Sequence, residues 1–490
     1  MTDVGLGTRR GRVLRLVAAF VAALALGHVA LVRWTRIEPP TLAETPPASV
    51  VSRGDGLATV GRSYTRVRSG VREVRLEGAP TDIGRAHGTL LRDRMIANET
   101  VLWGEFRRYV PLAPVRALLL DVGRVRYRDV ASEFPAARRD EVAAEALAFR
   151  PDPFDGELPT YHRMVFLHAL YDIALSFERS PLIGCSAVGL GPSMTADGHP
   201  LFLRAFDFEA GEIFDRDKAV YLVRGKGVLP FASVAWPGLS GVLTGMNSEG
   251  VVLAVNGARA GEPRTHGVPV VFALREVLEN AHDTREAIAI LSRQTVMVSH
   301  LVLVGDAHGT FAVVERAPGE PAWVRPSPAD ADRVPVTNHF VGPLAVDPRN
   351  LRVLRDTTTK ARAARLDEVL ATLPKGSVSP ARAVGLLRDH ECAGGTRCAL
   401  GDRRAIDALI ATHGVVADTQ AKVLWVSRGP HLSGAFVRFD VARLLADDYD
   451  PTSDPVDPKD DIDADPILGT AAYDDGVKRA GSPKIGGDAR

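Results

Sequence analysis

The feature that most constrains this fold is a change of hydrophobic periodicity at Gly184-Cys185. Before this point, apolar residues recur at helical spacing, for example between residues 83 and 106. After it, they form short runs separated by turn sequences such as Asp-Gly and Asn-Ser-Glu-Gly. Pro181 ends the helical half, and Gly184 leaves little bulk around the next peptide bond. The chain is therefore predicted to be an α+β protein whose helical half ends just before a cysteine.

Cys185 is one of only three cysteines among 490 residues. A lone cysteine is most often an inert, buried side chain. Cys392 and Cys398 lie six residues apart, and in an oxidising compartment such a pair commonly forms a local disulfide. A zinc site would need more ligands than the nearby His390, so no metal is expected. If the pair forms, Cys185 is the odd thiol, and a reactive role is as plausible as an inert one.

The first 36 residues are predicted to form a cytoplasmic basic flank and a signal anchor. Four arginines lie within the first 15 residues, and an apolar run without charged side chains extends from Leu16 to Val32. This run is just long enough to cross the hydrocarbon layer. The basic flank should stay cytoplasmic, which places the remainder outside the membrane. The alternative is a signal peptide that is cleaved at Ala23-Leu24-Ala25.

Composition divides the remaining chain into four parts. Residues 37–69 contain two Pro-Pro pairs and predict an extended linker, and residues 70–184 predict a helical pro-segment. Residues 185–446 alternate between groups of strands and helices, which favours two sheets layered between helices. Residues 447–490 are rich in Asp, Pro, Gly and Lys and predict a disordered acidic tail. The 60 basic and 60 acidic residues balance, so the chain has no global field that would favour nucleic acid.

Two opposite charges, Arg204 and Asp207, lie inside an apolar run after the cysteine. Burying them is costly unless each is paired. In a regular strand, residues three apart point to opposite faces, so a direct pair would need the strand to end or bulge. Each could instead make a plain structural salt bridge, or both could serve a nearby ionisable group. Asn247, Asn256 and Asn338 follow short apolar runs, where Asn usually shapes a turn but can also donate to an oxyanion.

Taken together, these motifs resemble the N-terminal-nucleophile amide hydrolases. The greatest similarity is to the isopenicillin-N acyltransferase-like autoproteolytic acyltransferases and hydrolases, and the more distant relatives are bile-salt hydrolases, penicillin V amidases and acid ceramidase. Residues 78–88 are similar to that group's signature before the cysteine, and the resemblance extends over about residues 70–440. The motifs in chain order are Gly184-Cys185-Ser186, Arg204-x-x-Asp207, Gly245-Met246-Asn247-Ser248-Glu249-Gly250, Val255-Asn256-Gly257 and Thr337-Asn338-His339.

The resemblance implies a four-layer αββα sandwich that follows the helical pro-segment and the transmembrane helix. It also implies that the precursor cuts itself between Gly184 and Cys185. The Cys185 thiol would then be the nucleophile, and its new α-amine would be the adjacent base. The pro-segment would remain associated with the core as the small chain of a heterodimer.

The same resemblance implies roles for residues around the thiol. Asp207 matches the residue that holds the α-amino group, and Arg204 matches the one that stabilises the thiolate. Asn256 and Asn338 match the residues that stabilise the oxyanion.

The family has one later arginine, which could correspond to Arg362 or to Arg365, and the sequence leaves both open. Asn247 is a further candidate for the site, but it is expected to shape a turn. No cofactor is expected.

The predicted function is hydrolysis or acyl transfer at a linear amide of an N-acylated small molecule or peptide, through an acyl-thioester, outside the cytoplasmic membrane. One alternative is an ester or phospholipid deacylase on the same fold, and another is an inactive binding protein. A papain-like protease is disfavoured because no Gln or Trp-rich context surrounds Cys185.

Overall fold

The computed structural model describes residues 4–43, 49–53, 56–177, 183–208, 211–325, 332–454 and 456–481. The predicted end of the helical half near Arg179 and Pro181 lies outside these ranges. The helices are α1 (Val4–Trp34), α2 (Pro80–Leu90), α3 (Arg92–Tyr109), α4 (Ala113–Arg126), α5 (Ala136–Ala148), α6 (Thr160–His168), α7 (Leu170–Leu175), α8 (Ile213–Arg216), α9 (Val270–Asn280), α10 (Thr284–Arg293), α11 (Pro348–Asp356), α12 (Thr359–Thr372), α13 (Pro380–Leu387), α14 (Val441–Leu444) and α15 (Ala471–Gly481).

The strands form two sheets, which confirms the predicted α+β class. They are β1 (Val51–Ser52), β2 (Ala58–Val60), β3 (Ser63–Arg68), β4 (Val71–Gly78), β5 (Ile183–Leu190), β6 (Leu201–Phe208), β7 (Ala219–Gly225), β8 (Phe231–Ala235), β9 (Thr244–Asn247), β10 (Val252–Gly257), β11 (His300–Gly305), β12 (Phe311–Arg316), β13 (Trp323–Val324), β14 (Arg333–Val336), β15 (Ala411–Asp418), β16 (Val423–Ser427) and β17 (Phe436–Asp440).

The larger sheet has the strand order β1-β2-β3-β4-β7-β8-β9-β10-β11-β12-β13, and the smaller has β14-β5-β6-β15-β16-β17. Neighbouring strands are antiparallel except β4 and β7, which pair in parallel from Arg72↔Ala219 to Gly78↔Gly225. Parallel neighbours need a long connection. Here that connection includes the helices α2–α7 and the first two strands of the smaller sheet, β5 and β6.

Alternate side chains of the strands enter different hydrophobic clusters. Along β11, Val302 and Val304 pack in a cluster that includes residues of α5 and α9. The intervening Leu301 and Leu303 pack in a second cluster, with residues from both sheets. In a third cluster, β6 packs against α12 and α13, for example through contacts around Leu370. Because successive side chains of a strand point to opposite faces, the apolar residues of the strands pack on both faces of the sheets.

Two glycines of α2 allow this helix to pack tightly against α5. A Cβ on Gly84 would overlap the carbonyl oxygen of Glu141, and one on Gly88 would lie 2.6 Å from the carbonyl oxygen of Glu145. Glycine inside a helix is costly unless another backbone approaches closely, and here one does. His168 is fully buried, and its Nδ1 lies 2.8 Å from the Met164 carbonyl oxygen, as expected for a core histidine.

Helix α1 includes one segment, Gly11–Trp34, that is long and apolar enough to cross a membrane. The segment has 24 residues, a mean hydropathy of 2.1 and no part buried against the rest of the protein. By length and composition alone, an anchor and a signal sequence meet this description equally well.

Part of the predicted linker is folded into the larger sheet, because residues 51–53 and 56–68 contain its strands β1–β3. The proline pairs that suggested a linker all lie before this stretch. Within β3, Tyr64 is 2% exposed and donates to Glu73 Oε1 at 2.7 Å. Arg66 and Arg68 are buried as well, because both pair with Glu73 on β4.

The predicted disordered tail is also wrong for most of its length. Asp454 accepts hydrogen bonds from Arg66 at 3.0 Å and from Arg68 at 2.8 Å, which joins the segment to the larger sheet. Helix α15 buries Tyr473 and Ala480 in a small apolar cluster. The segment before residue 455 is thus held by ion pairs of Asp454 with two buried arginines, and α15 is held by apolar packing.

Candidate active site

Cys185 lies on β5, where the smaller sheet meets the helices of the first cluster. In the antiparallel pairing of β5 with β6, Cys185 is opposite Phe206 and Gly184 is opposite Asp207. The Cys185 side chain is fully buried and belongs to the same hydrophobic cluster as Phe206. In the continuous chain the thiol is therefore closed to solvent.

Arg204 reaches the thiol from the neighbouring strand. Its Nη2 donates to Cys185 Sγ at 3.0 Å and also to the carbonyl oxygen of Val255. Its Nη1 donates to Asn256 Oδ1, and the guanidinium lies 5.1 Å from the centroid of the Phe206 ring. This fully buried cation is thus fixed by β10 and directed at sulfur.

Arg204 and Asp207 lie three residues apart on β6, so regular strand geometry directs them to opposite faces. Arg204 lies on the face of the Cys185 sulfur. Asp207 lies beside Gly184, where an added Cβ would be 2.9 Å from Asp207 Oδ2. The pairing of β6 with β5 is continuous here, so the two charges lie on the two sides of the sheet at Gly184–Cys185 without a bulge in β6, and the irregularity at this level lies in β15.

The charges around the thiol act on its pKa in opposite directions. Burial is the largest effect and raises the pKa of Cys185 above its ordinary value. The positive charges of Arg204 and Arg362 oppose this effect, whereas Asp207 adds to it. Burial therefore favours the protonated thiol in the uncut chain, while Arg204 and Arg362 lie where their charges favour a thiolate.

Of the two asparagines of the predicted oxyanion site, Asn338 contacts Cys185 directly, and Asn256 is linked to it through Arg204. Asn338 Oδ1 accepts a hydrogen bond from the Cys185 backbone N–H at 2.9 Å. The Asn338 amide donates to the Gly257 carbonyl oxygen at 2.8 Å, and the Asn256 amide donates to the Thr337 carbonyl oxygen at 2.8 Å. The asparagines thus cross-link the two strand ends that carry them.

The structure distinguishes between the two candidate late arginines. Arg362 on α12 is buried, and it donates to the Cys185 carbonyl oxygen, to Ser186 Oγ at 2.9 Å and to Asn338 Oδ1 at 2.7 Å. Arg365, almost one turn further on, pairs with Asp389 at 2.7 Å and Glu391 at 2.9 Å. Only Arg362 contacts the predicted site.

Asn247 shapes a turn, as its sequence context suggested. Its Oδ1 accepts from the backbone N–H groups of Glu249 and Val251, and its amide donates to two carbonyl oxygens near the end of α9. Cys392 and Cys398 form the expected disulfide, with their Cα atoms 5.5 Å apart. Within the described ranges, Cys185 is left as the free thiol.

Sequence reasoning missed Tyr171 on α7. This side chain shares the hydrophobic cluster of Cys185 and is 8% exposed. Burial raises the pKa of its phenol, and the nearby Cys185 raises it further. The phenol oxygen is buried without a hydrogen-bond partner among the residues that the structure describes. No motif surrounds Tyr171, so only the folded chain reveals its proximity to the thiol.

Comparison with protein families gives one match. Residues 194–396 match the family described as "Acyl-coenzyme A:6-aminopenicillanic acid acyl-transferase". This segment includes Arg204, Asp207, Asn256, Asn338 and Arg362 and begins after the cysteine. The match confirms the resemblance that the sequence motifs predicted. A comparison with curated proteins finds no match.

Three solved structures are similar at low identity. A Caenorhabditis elegans N-acylethanolamine-hydrolyzing acid amidase ortholog is 17% identical, over 48% of this chain and 93% of that chain, with a TM-score of 0.31. Penicillin V acylase from Agrobacterium tumefaciens is 15% identical, over 50% and 82%, with a TM-score of 0.32. A single-residue variant of conjugated bile acid hydrolase from Clostridium perfringens is 14% identical, over 52% and 92%, with a TM-score of 0.34. TM-scores this low carry no argument about this chain.

Proposed function

We propose that this chain is an autoproteolytically activated amidohydrolase or acyltransferase with Cys185 as its nucleophile. Its substrate would be a linear amide of an N-acylated small molecule or peptide. The observation that carries the proposal is the 3.0 Å hydrogen bond from Arg204 to Cys185 Sγ inside a fully buried site. A buried guanidinium that donates to the thiol sulfur favours the thiolate, which is the reactive form.

The first reaction is cleavage of the chain's own Gly184–Cys185 bond. The Cys185 sulfur attacks the Gly184 carbonyl carbon, the carbon–nitrogen bond breaks, and the thiol proton passes to the departing nitrogen. The resulting thioester is hydrolysed by water, which leaves a carboxylate on Gly184 and a free amine and thiol on Cys185. The absence of a side chain on Gly184 and the hold of Arg362 on the Cys185 carbonyl support this step.

Turnover would use the same sulfur with the new amine as its base. An α-amine has an ordinary pKa of about 8, so it can accept the thiol proton near neutral pH. The thiolate attacks the substrate amide, the amine leaves with a proton, and water or a second amine resolves the acyl-thioester. Asn256 and Asn338 would release their carbonyl partners to stabilise the oxyanion, and one such donor is worth about 2.7–4 kcal/mol.

The proposed architecture is a four-layer αββα sandwich. The three hydrophobic clusters, which link helices to the larger sheet, one sheet to the other, and the smaller sheet to helices, support it. The parallel pairing of β4 with β7 supports a pro-segment that remains bound as the small chain of a heterodimer. Helix α1 would anchor the enzyme with its catalytic part outside the cytoplasmic membrane, where the Cys392–Cys398 disulfide is stable.

Intact mass spectrometry of the purified chain tests the proposal. We expect two fragments, with N-terminal sequencing of the larger one beginning Cys-Ser-Ala. Cys185→Ala should give one uncut chain without turnover, whereas Cys392→Ala, a matched cysteine outside the site, should still be cut. An uncut wild-type chain, or a new terminus elsewhere, would overturn the autoprocessing step.

A phospholipid or ester deacylase is the second candidate, because a membrane-length helix places lipid esters within reach of the same nucleophile. Parallel assays on N-acyl amides and on lysophospholipid separate the two activities. Faster cleavage of the ester than of every amide tested would favour the second candidate. A protein that neither cuts itself nor reacts with a thiol-directed acyl probe would be a binding protein.

A further inference from the structure

Helix α4 carries an exposed apolar stripe that faces away from the body of the protein. A helix on a soluble domain usually directs its apolar face toward the core. Here the outward residues recur at intervals of three or four, and each is 40–65% exposed. They define the α4 stripe: Leu112, Val115, Leu118, Leu119, Val122 and Val125. A contiguous apolar surface of this kind marks an interaction site.

The C-terminal end of α1 lies directly against α4. His28 Nδ1 is 2.9 Å from Asp121 Oδ2, and the Arg128 guanidinium lies 4.5 Å from the centroid of the Trp34 ring. His28 lies six residues before Trp34, which corresponds to about 9 Å along a helix axis. If α1 spans a bilayer with Trp34 at the interface, the middle of α4 lies about 9 Å below that level, beside the outer part of the acyl chains, and its C-terminal end lies near the headgroups.

The charges of α4 suit the same depth. The exposed arginine of the helix is Arg126, whereas Arg124 is buried, and the one acidic residue, Asp121, is paired with His28. Helices that lie in the membrane interface combine an apolar face with arginine or lysine on the remaining surface. The phosphates of the headgroups match Arg126 in charge.

We propose that the α4 stripe lies in the outer leaflet of the membrane that α1 spans, so that the body of the protein is held against the lipid surface at two adjacent helices. The occupant of the stripe is lipid acyl chain near the headgroups. This inference goes beyond the proposed reaction and does not depend on it, because it rests on exposure, spacing and the contacts between α1 and α4.

An environment-sensitive fluorophore tests the proposal on the full chain. Leu118→Cys places the label on the stripe. Leu351 lies on α11 and is 49% exposed. Leu351→Cys is the matched control, because it places the label next to α12, the helix that covers the smaller sheet. Both variants carry Cys185→Ala, and the other two cysteines are bonded, so the introduced thiol is the reactive one. The Cys185→Ala chain without an introduced cysteine, treated identically, gives the background.

In vesicles of phosphatidylcholine with phosphatidylglycerol, we expect the label at residue 118 to shift its emission to the blue. Lipids spin-labelled near the headgroup should quench this label, while the label at residue 351 keeps its aqueous spectrum and its intensity. Equal spectra and equal quenching at the two positions would overturn the proposal. The stripe would instead be a protein interface if the label at residue 118 is shielded from water but is not quenched by lipid, and if the chain cross-links to a second copy. That result would overturn the proposal.

Discussion

Replacing Arg362 with methionine tests whether this side chain fixes the carbonyl of Cys185. Its guanidinium makes three hydrogen bonds, and removing one partner from a buried charged network costs about 3–5 kcal/mol. Burial lowers the pKa of Arg362, so the cost of removing its charge from water already offsets part of the stability that its hydrogen bonds contribute. We therefore expect the free energy of unfolding to fall by about 3 kcal/mol. Cleavage should slow on the order of 100-fold, since the reacting groups are no longer aligned.

The stability assay is guanidinium chloride denaturation in a Cys185→Ala background, which keeps every variant uncut. Cleavage is followed separately by intact mass after refolding. Arg365→Met is the matched control on the same helix. Its partners are the partly buried Asp389 and the exposed Glu391, and neither lies at the predicted site, so its loss should cost about 1 kcal/mol. Arg362→Lys keeps the charge but cannot reach three acceptors together, so it should recover only part of the cleavage rate. Equal loss of stability and equal cleavage rates in the two methionine variants would refute this reasoning.

Three further predictions concern the cleavage site, pH and the disulfide. Gly184→Ala puts a Cβ 2.9 Å from Asp207 Oδ2, so mass spectrometry should find slower cleavage of a folded chain, and an unchanged rate would contradict this. Burial raises the pKa of Glu145 from its ordinary 4.5 to about 8, so the folded state holds this proton to higher pH than the unfolded state. Its contribution to stability is complete below about pH 4.5 and is lost, on the order of a few kcal/mol, as pH rises to about 8. Glu145→Gln should flatten this dependence in denaturation curves, and an unaltered pH profile would argue against a neutral carboxyl. Cys392→Ala opens a short loop and should lower the free energy of unfolding by about 2 kcal/mol, while cleavage continues. Blocked cleavage in this variant would contradict the prediction and would link the Cys392–Cys398 bond to the active site.

Much of the site could be predicted because it is encoded locally. Gly184-Cys185 and Arg204-x-x-Asp207 are short motifs, and the period-2 rule alone states that Arg204 and Asp207 point to opposite faces. Their partners are not local. Asn338 reaches Cys185 across 153 residues of chain, and only the pairing of the strands brings the two together.

Other features were beyond sequence reasoning for physical reasons. Arg362 and Arg365 occupy one helix in similar sequence surroundings, and only the packing of α12 on the smaller sheet places Arg362 at Cys185. The prediction places β3 in a linker because of the proline pairs before it. Its arginines, Arg66 and Arg68, are buried because Glu73 and Asp454 neutralise them, and Asp454 lies in the segment that is expected to be disordered. This ion-pair cluster joins distant parts of the chain, so no local pattern indicates it.

The sheet pairing also limits what cleavage at Gly184 can change. The chain before Cys185 contributes β4, which lies between β3 and β7, so cutting the bond does not free that chain. Of β5, only Ile183 and Gly184 lie before the cut, and they pair with Phe208 and Asp207 at the end of β6. In the proposed cleavage, the new amine of Cys185 would form beside Asn338 Oδ1, which already accepts the Cys185 backbone N–H at 2.9 Å. Since the thiol is fully buried in the uncut chain, we expect that a substrate reaches it only after the proposed cleavage, while the sheet that joins the fragments stays intact.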